Sequence, residues 1–195
     1  MASAYYDANR STYVIADKGT VTGADWLNNA EQGLGLQSQQ YQDANKIAVA
    51  VNQSDAGQAG QVEYTGHSLG GGMASLQALV GGAPAITFNS SGLNSITAAR
   101  YGVDISEPNH IDAYYVSGDP LNFIQDHTPL PSALGYRIPL IADNPVLITS
   151  NGLIHSTPMS GLQTVINSAD ANLHFMGASE SSIYNNFPVF SLLKP

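Results

Sequence analysis

The 195-residue chain contains no cysteine. That removes disulfide crosslinks, thiolate metal sites and a cysteine nucleophile together. Basic charge is also scarce: Lys and Arg number 6 against 15 Asp and Glu, for a formal net charge of -9. No Lys/Arg cluster occurs, which argues against nucleic acid as a partner and against charge-driven binding to an anionic membrane. Apolar runs are short too, and none approaches the roughly 20 residues of a membrane-spanning helix. Any contact with a lipid surface therefore has to be apolar and transient. The opening MASAYYDANR lacks a basic stretch followed by an apolar one, so no secretory signal is expected there. Met1-Ala2 fits a start placed before a domain excised from a longer chain, and a secreted or delivered bacterial protein fits equally. Localisation and oligomeric state stay open.

What the chain does have is apolar bulk and many breaks. Hydrophobic residues make up 43% and charged ones 11%, a globular balance sufficient for one domain spanning 1–195. With 19 glycines and 10 prolines, the elements should be short and the turns frequent. Strand-like runs occur at 12–16 (TYVIA), 61–65, 85–88 (AITF), 111–116 (IDAYYV), 136–140 and 146–149. Helical patterns occur at 25–29, 38–51, 68–80, 93–101 and 157–169, the last opened by Thr157-Pro158 as cap and first-turn proline. Alternation of strand and helix predicts one α/β domain with a mostly parallel central sheet and helices on both faces.

Between the second strand and the third helix stands GHSLGGG, residues 66–72. Gly66-His67-Ser68-Leu69-Gly70 satisfies G-x-S-x-G, the pattern of a serine raised on a tight strand-to-helix elbow. Glycines flank it because larger residues would meet neighbouring backbone there. The bare pattern is weak in a chain this rich in glycine. A strand before it and an amphipathic helix after it supply the context it needs. Ser68 is therefore the candidate nucleophile.

A serine hydroxyl needs a base, and the base needs an orienting acid. On such an elbow the partners follow in the order serine, acid, histidine. Asp119 lies just past the strand at 111–116 and is the candidate acid, although Gly118-Asp119-Pro120 also reads as an ordinary turn. Asp126 is the second choice. Asp104 and Asp112 read as turn and solvating residues. Of the five histidines, His67 points away from the hydroxyl, His110 precedes the acid, and His127 follows it too closely. His155, before the last helix, is the candidate base, and His174 is the alternative. The amide of Leu69, with the amide and hydroxyl of Thr20, would receive a developing oxyanion.

These segments resemble one family, lipase class 3, a branch of the α/β hydrolases that includes bacterial lipase- and phospholipase-like relatives. YTGHSLGGGMA resembles its T-G-H-S-L-G-G-x-x-A nucleophile segment, YVIADKGT its oxyanion strand, ITFNSSG its next strand, and VSGDPLNFI its strand-end acid. The chain departs from the family at Lys18, at Asn89-Ser90-Ser91 and in the histidine segment LIHSTPMSGL. The resemblance implies an α/β-hydrolase fold with Ser68 as nucleophile, Asp119 as acid and Thr20 at the oxyanion. It also implies hydrolysis of lipid acyl esters with no metal or organic cofactor. Residues 90–110 would suit a lid. An acyltransferase with the same residues, a catalytically silent binding module and a delivered toxin domain are the alternatives.

Overall fold

The computed structural model describes residues 2–19 and 39–140. Their order is β1 (Ala2–Asp7), β2 (Thr12–Asp17), α1 (Gln39–Asn52), α2 (Asp55–Gln58), β3 (Val62–His67), α3 (Leu69–Gly81), β4 (Ala85–Phe88), α4 (Ser95–Arg100), β5 (Ile111–Val116), α5 (Pro120–His127) and β6 (Tyr136–Leu140). Among the described residues the strands form one 6-stranded sheet in the sequential order β1 to β6. β1 pairs antiparallel with β2, whereas β2 through β6 are parallel to one another. Parallel neighbours require a crossover. α3, α4 and α5 supply those between successive strands from β3 onward.

Strand alternation sorts the sheet into two faces. On one face Ile15, Val62, Tyr64, Ala85 and Ile111 are buried against Ala74 and Ala78 of α3. On its far side α3 turns Leu69, Met73 and Leu76 towards Tyr41 and Ala44 of α1, joined by Leu93 and Ala98. The first ten residues of α3 are consequently all buried. Its apolar composition all round follows from being packed on both sides rather than on one. The other sheet face holds half-buried Thr65, Ile86, Phe88 and Tyr114. Phe88 and Tyr114 sit opposite each other in register and stack at 5.8 Å.

The expected strands at 85–88, 111–116 and 136–140 are found with those bounds. Three elements were not anticipated: β1, α2 and α5. The expected strand at 146–149 and the helices at 25–29 and 157–169 lie outside the described residues. Within residues 90–110, the segment expected to suit a lid, Ser90, Leu93, Thr97 and Ala98 are buried, so its first part packs into the core, whereas residues 99–110 are half-buried or exposed.

Candidate active site

Ser68 stands where β3 hands over to α3, at φ 56 and ψ -124. A non-glycine residue there carries backbone strain of roughly 1–3 kcal/mol, so the surroundings must hold it. They do so from α3, the end of β4 and the loop after it. Its N–H donates to the Phe88 carbonyl at 3.1 Å, and its carbonyl accepts from Gly71 at 3.0 Å, Gly72 at 3.2 Å and Ser91 at 3.0 Å. A serine at a helix N-cap normally accepts a bond from the first-turn amides. Ser68 makes no such side-chain cap bond. Its hydroxyl is held at the elbow without serving the helix.

The glycines have separate reasons, all of them close approach. A Cβ on Gly66 would run into the carbonyl carbon and oxygen of Gly70, and one on Gly70 into the Asp17 carbonyl and, at 2.9 Å, the Gly19 nitrogen. A Cβ on Gly19 would lie 2.6 Å from the His67 carbonyl oxygen. The turn thus folds onto itself and onto the end of β2. The segment leading to Thr20 is docked directly on the elbow, although Thr20 itself lies outside the described residues. Leu69 is the first residue of α3.

Asp119 sits past the end of β5 and is fully buried. It caps α5, and Pro120 fills a first-turn position where no N–H is required. Its Oδ1 accepts from the Asn122 backbone N–H at 2.8 Å and from Asn122 Nδ2 at 2.7 Å. Asn89, at the end of β4 with φ 41, accepts from the Val116 N–H at 2.8 Å and so ties the ends of β4 and β5 together. Asn89 thus holds the strand end that carries Asp119. The ends of β2, β3, β4 and β5 form one rim, and Ser68 and Asp119 both lie on it.

Asp126 is half exposed and pairs with Arg137, at 2.7 Å. Asp104 caps a turn by accepting from the Ser106 N–H at 2.8 Å, in keeping with its reading as a turn residue. His67 points to the sheet face away from Tyr64 and Gly66. A ring nitrogen of His110 lies 3.2 Å from the Ala78 carbonyl, at the opposite end of β5 from Asp119. His127 stacks on Phe123 at 4.1 Å, and its Nδ1 lies 2.8 Å from the Phe123 carbonyl. His155 and His174 lie outside the described residues.

Sequence reasoning missed Asn122 and Arg137 beside the acid, and the character of Asp17. Asp17, to which sequence reasoning gave no role of its own, is the buried last position of β2, on the side of Ile15. Burial pushes its carboxyl up to about 6. Its neighbour Tyr64 is pushed up to about 12, by burial first and then by the charge of Asp17. The parity of Tyr13, Ile15 and Asp17 was the available signal. Asn122 was recognisable only by its spacing from Asp119, and nothing local in the sequence identifies Arg137.

Two comparisons bear on this geometry. Residues 1–171 match a family model described as phospholipase-like, the Tle-like phospholipase domain. The extracellular phospholipase A1 of Serratia liquefaciens is 34% identical over 174 residues, covering 83% of this chain and 53% of that protein. The chain thus spans about half the length of this curated relative.

Proposed function

The chain belongs to the Tle-like phospholipase domain family, and from that membership we propose that it hydrolyses fatty acyl esters of phospholipids through Ser68. The observation that carries the reading is the strained Ser68, whose side chain makes no cap bond, on an elbow packed through Gly70 against the end of β2 and sharing a rim with buried Asp119. The lipase class 3 likeness of YTGHSLGGGMA and VSGDPLNFI supports the same two assignments. The relative's name specifies a phospholipase A1 acting outside the cell. We carry over to this chain the class of bond and an extracellular or delivered site of action.

Ser68 Oγ attacks the ester carbonyl while a histidine removes its proton. His155 is the base in this reading and His174 the alternative. The carbonyl oxygen becomes negative in front of the Leu69 amide and Thr20, where fixed donors lower the barrier without reorganising. The imidazolium returns its proton to the departing alcohol, leaving Ser68 acylated. Water, deprotonated by the same imidazole, then releases the fatty acid. Asp119 holds the imidazole tautomer and favours its charged form.

The test is mass-spectrometric product analysis on defined phospholipids and triglycerides, comparing the parent protein with Ser68→Ala. Free fatty acid from phospholipid in the parent alone supports the reading. Equal product from both proteins overturns it.

A further inference from the structure

The bonds around Asp119 are unusual for a helix cap. In a capping box the cap accepts from the third helical residue, and that residue's side chain, a Glu or Gln, reaches back to the cap's backbone N–H. Here the Asp119 N–H is already donated to the Val116 carbonyl at 3.0 Å. The side chain of Asn122 turns instead to the carboxylate and donates Nδ2 to Oδ1 at 2.7 Å. One residue therefore supplies two donors to one oxygen.

An asparagine amide has two nearly isosteric ends, so its direction needs a cause. Arg137 gives one. Its Nη2 lies 3.2 Å from Asn122 Oδ1, and a guanidinium only donates. The amide oxygen must face Arg137, which turns the NH2 towards Asp119. Arg137 is fixed in turn by both carboxylate oxygens of Asp126, at 2.7 and 3.3 Å, and by the Tyr115 ring, 4.6 Å from its guanidinium carbon. Tyr115 of β5 and Asp126 and Asn122 of α5 thus converge on the Arg137 guanidinium of β6. Asn122 and Asp119 are buried, so little water competes for these bonds.

We infer that Asn122, oriented by Arg137 and Asp126, is a positioning residue that sets the rotation of the Asp119 carboxylate toward the catalytic imidazole. The inference rests on the reading of Ser68 and Asp119 as nucleophile and acid. Asp126 enters the site through Arg137 rather than as the acid. Without the Nδ2 donor the carboxylate can turn about its side-chain torsion, and misplacement by about 1 Å can cost on the order of 100-fold in rate.

The experiment is hydrolysis of p-nitrophenyl butyrate by the full chain as a function of pH, with a thermal melt for each variant. Asn122→Ala should lower kcat roughly 10- to 100-fold while leaving KM within about twofold, the pattern of lost transition-state geometry rather than lost binding. Arg137→Met should lower kcat less, and the double variant should be no worse than Asn122→Ala, because Arg137 acts through that amide. Asn122→Asp keeps the shape but sets a second carboxylate against the first. It should move the acidic limb of kcat/KM upward by roughly one pH unit, a shift that a purely structural cap would not produce. If Asn122→Ala fails to fold, the isosteric Asn122→Asp carries the test alone. Folded variants with the parent's kcat and an unmoved acidic limb overturn the inference, as do additive losses in the double variant. If Ser68→Ala turns over as fast as the parent, the reading of the site falls and this inference falls with it. Turnover that needs Ser68 but ignores Asn122 overturns the inference alone.

Discussion

Gly70→Ala isolates the packing that shapes the elbow. The new methyl would run into the Asp17 carbonyl oxygen and stand 2.9 Å from the Gly19 nitrogen, and both are main-chain atoms that no rotamer change can move. Relief requires α3 and the end of β2 to part by roughly 1 Å, an overpacking that costs about 3 kcal/mol, the upper end for such insertions. In a domain of this size that corresponds to a fall in Tm of about 6–12 °C. The same separation displaces Ser68 from the docked β2 segment, so ester turnover should fall roughly 100-fold. Gly82→Ala is the control. Gly82 has φ 67 and open space around it, so only backbone strain of about 1 kcal/mol applies there, and activity should persist. The assays are a thermal melt and p-nitrophenyl butyrate hydrolysis on both variants. If Gly70→Ala melts with Gly82→Ala and keeps the parent's turnover, the elbow does not depend on this close approach and the reasoning fails.

Exchanging Ser68 separates strain from chemistry: Ser68→Gly and Ser68→Ala should both lack turnover, yet Ser68→Gly should melt higher, because only glycine adopts φ 56 without penalty. Equal melting temperatures would contradict a strained elbow. Asp17 is predicted to make stability depend on pH. Its folded carboxyl at about 6 lies above the ordinary 3.8, so its contribution is fully present below 3.8 and lost as pH rises through 6. Asp17→Asn should therefore exceed the parent in stability by up to roughly 3 kcal/mol at pH 7.5, with the gap closing below pH 4; denaturant titrations across that range check it, and a constant gap would count against it. Asp119→Asn should retain the helix cap but lose about 10,000-fold in kcat, read by single-substrate kinetics on folded protein. His155→Ala should abolish turnover in a folded protein whereas His174→Ala should not, and the reverse result exchanges their roles.

The parts of the fold that were legible in the sequence are those where burial contrasts along the chain. Val62–His67 alternates buried and half-buried residues, and the period of two is visible in its letters; Ala85–Phe88 alternates too, but its buried positions are Ala85 and Thr87, so there only a short β-prone run was legible. β1 shows no such contrast, since its four central residues are exposed and, among the described residues, it pairs on one side only. An edge strand exposed on both faces has no pattern to read. α2 is four residues long, below the length at which helical periodicity can accumulate. α5 was legible in principle: Asp then Pro is a cap followed by a first-turn proline, and Leu121, Ile124 and Gln125 follow at helical spacing.

What obscured α5 was a choice between two meanings for Asp119, turn residue or acid. The structure removes the need to choose between capping and a place on the rim. Capping a helix at the rim of a parallel sheet is itself a way to bury a carboxylate beside the strand ends, because the first-turn amides compensate for its lost hydration. The bond from Asn122 Nδ2 goes beyond what the cap requires. Its orientation depends on Arg137, 15 residues away in sequence and on β6. Local pattern can propose a carboxylate and a strand end; the direction the carboxylate faces is set by residues that only the topology brings together.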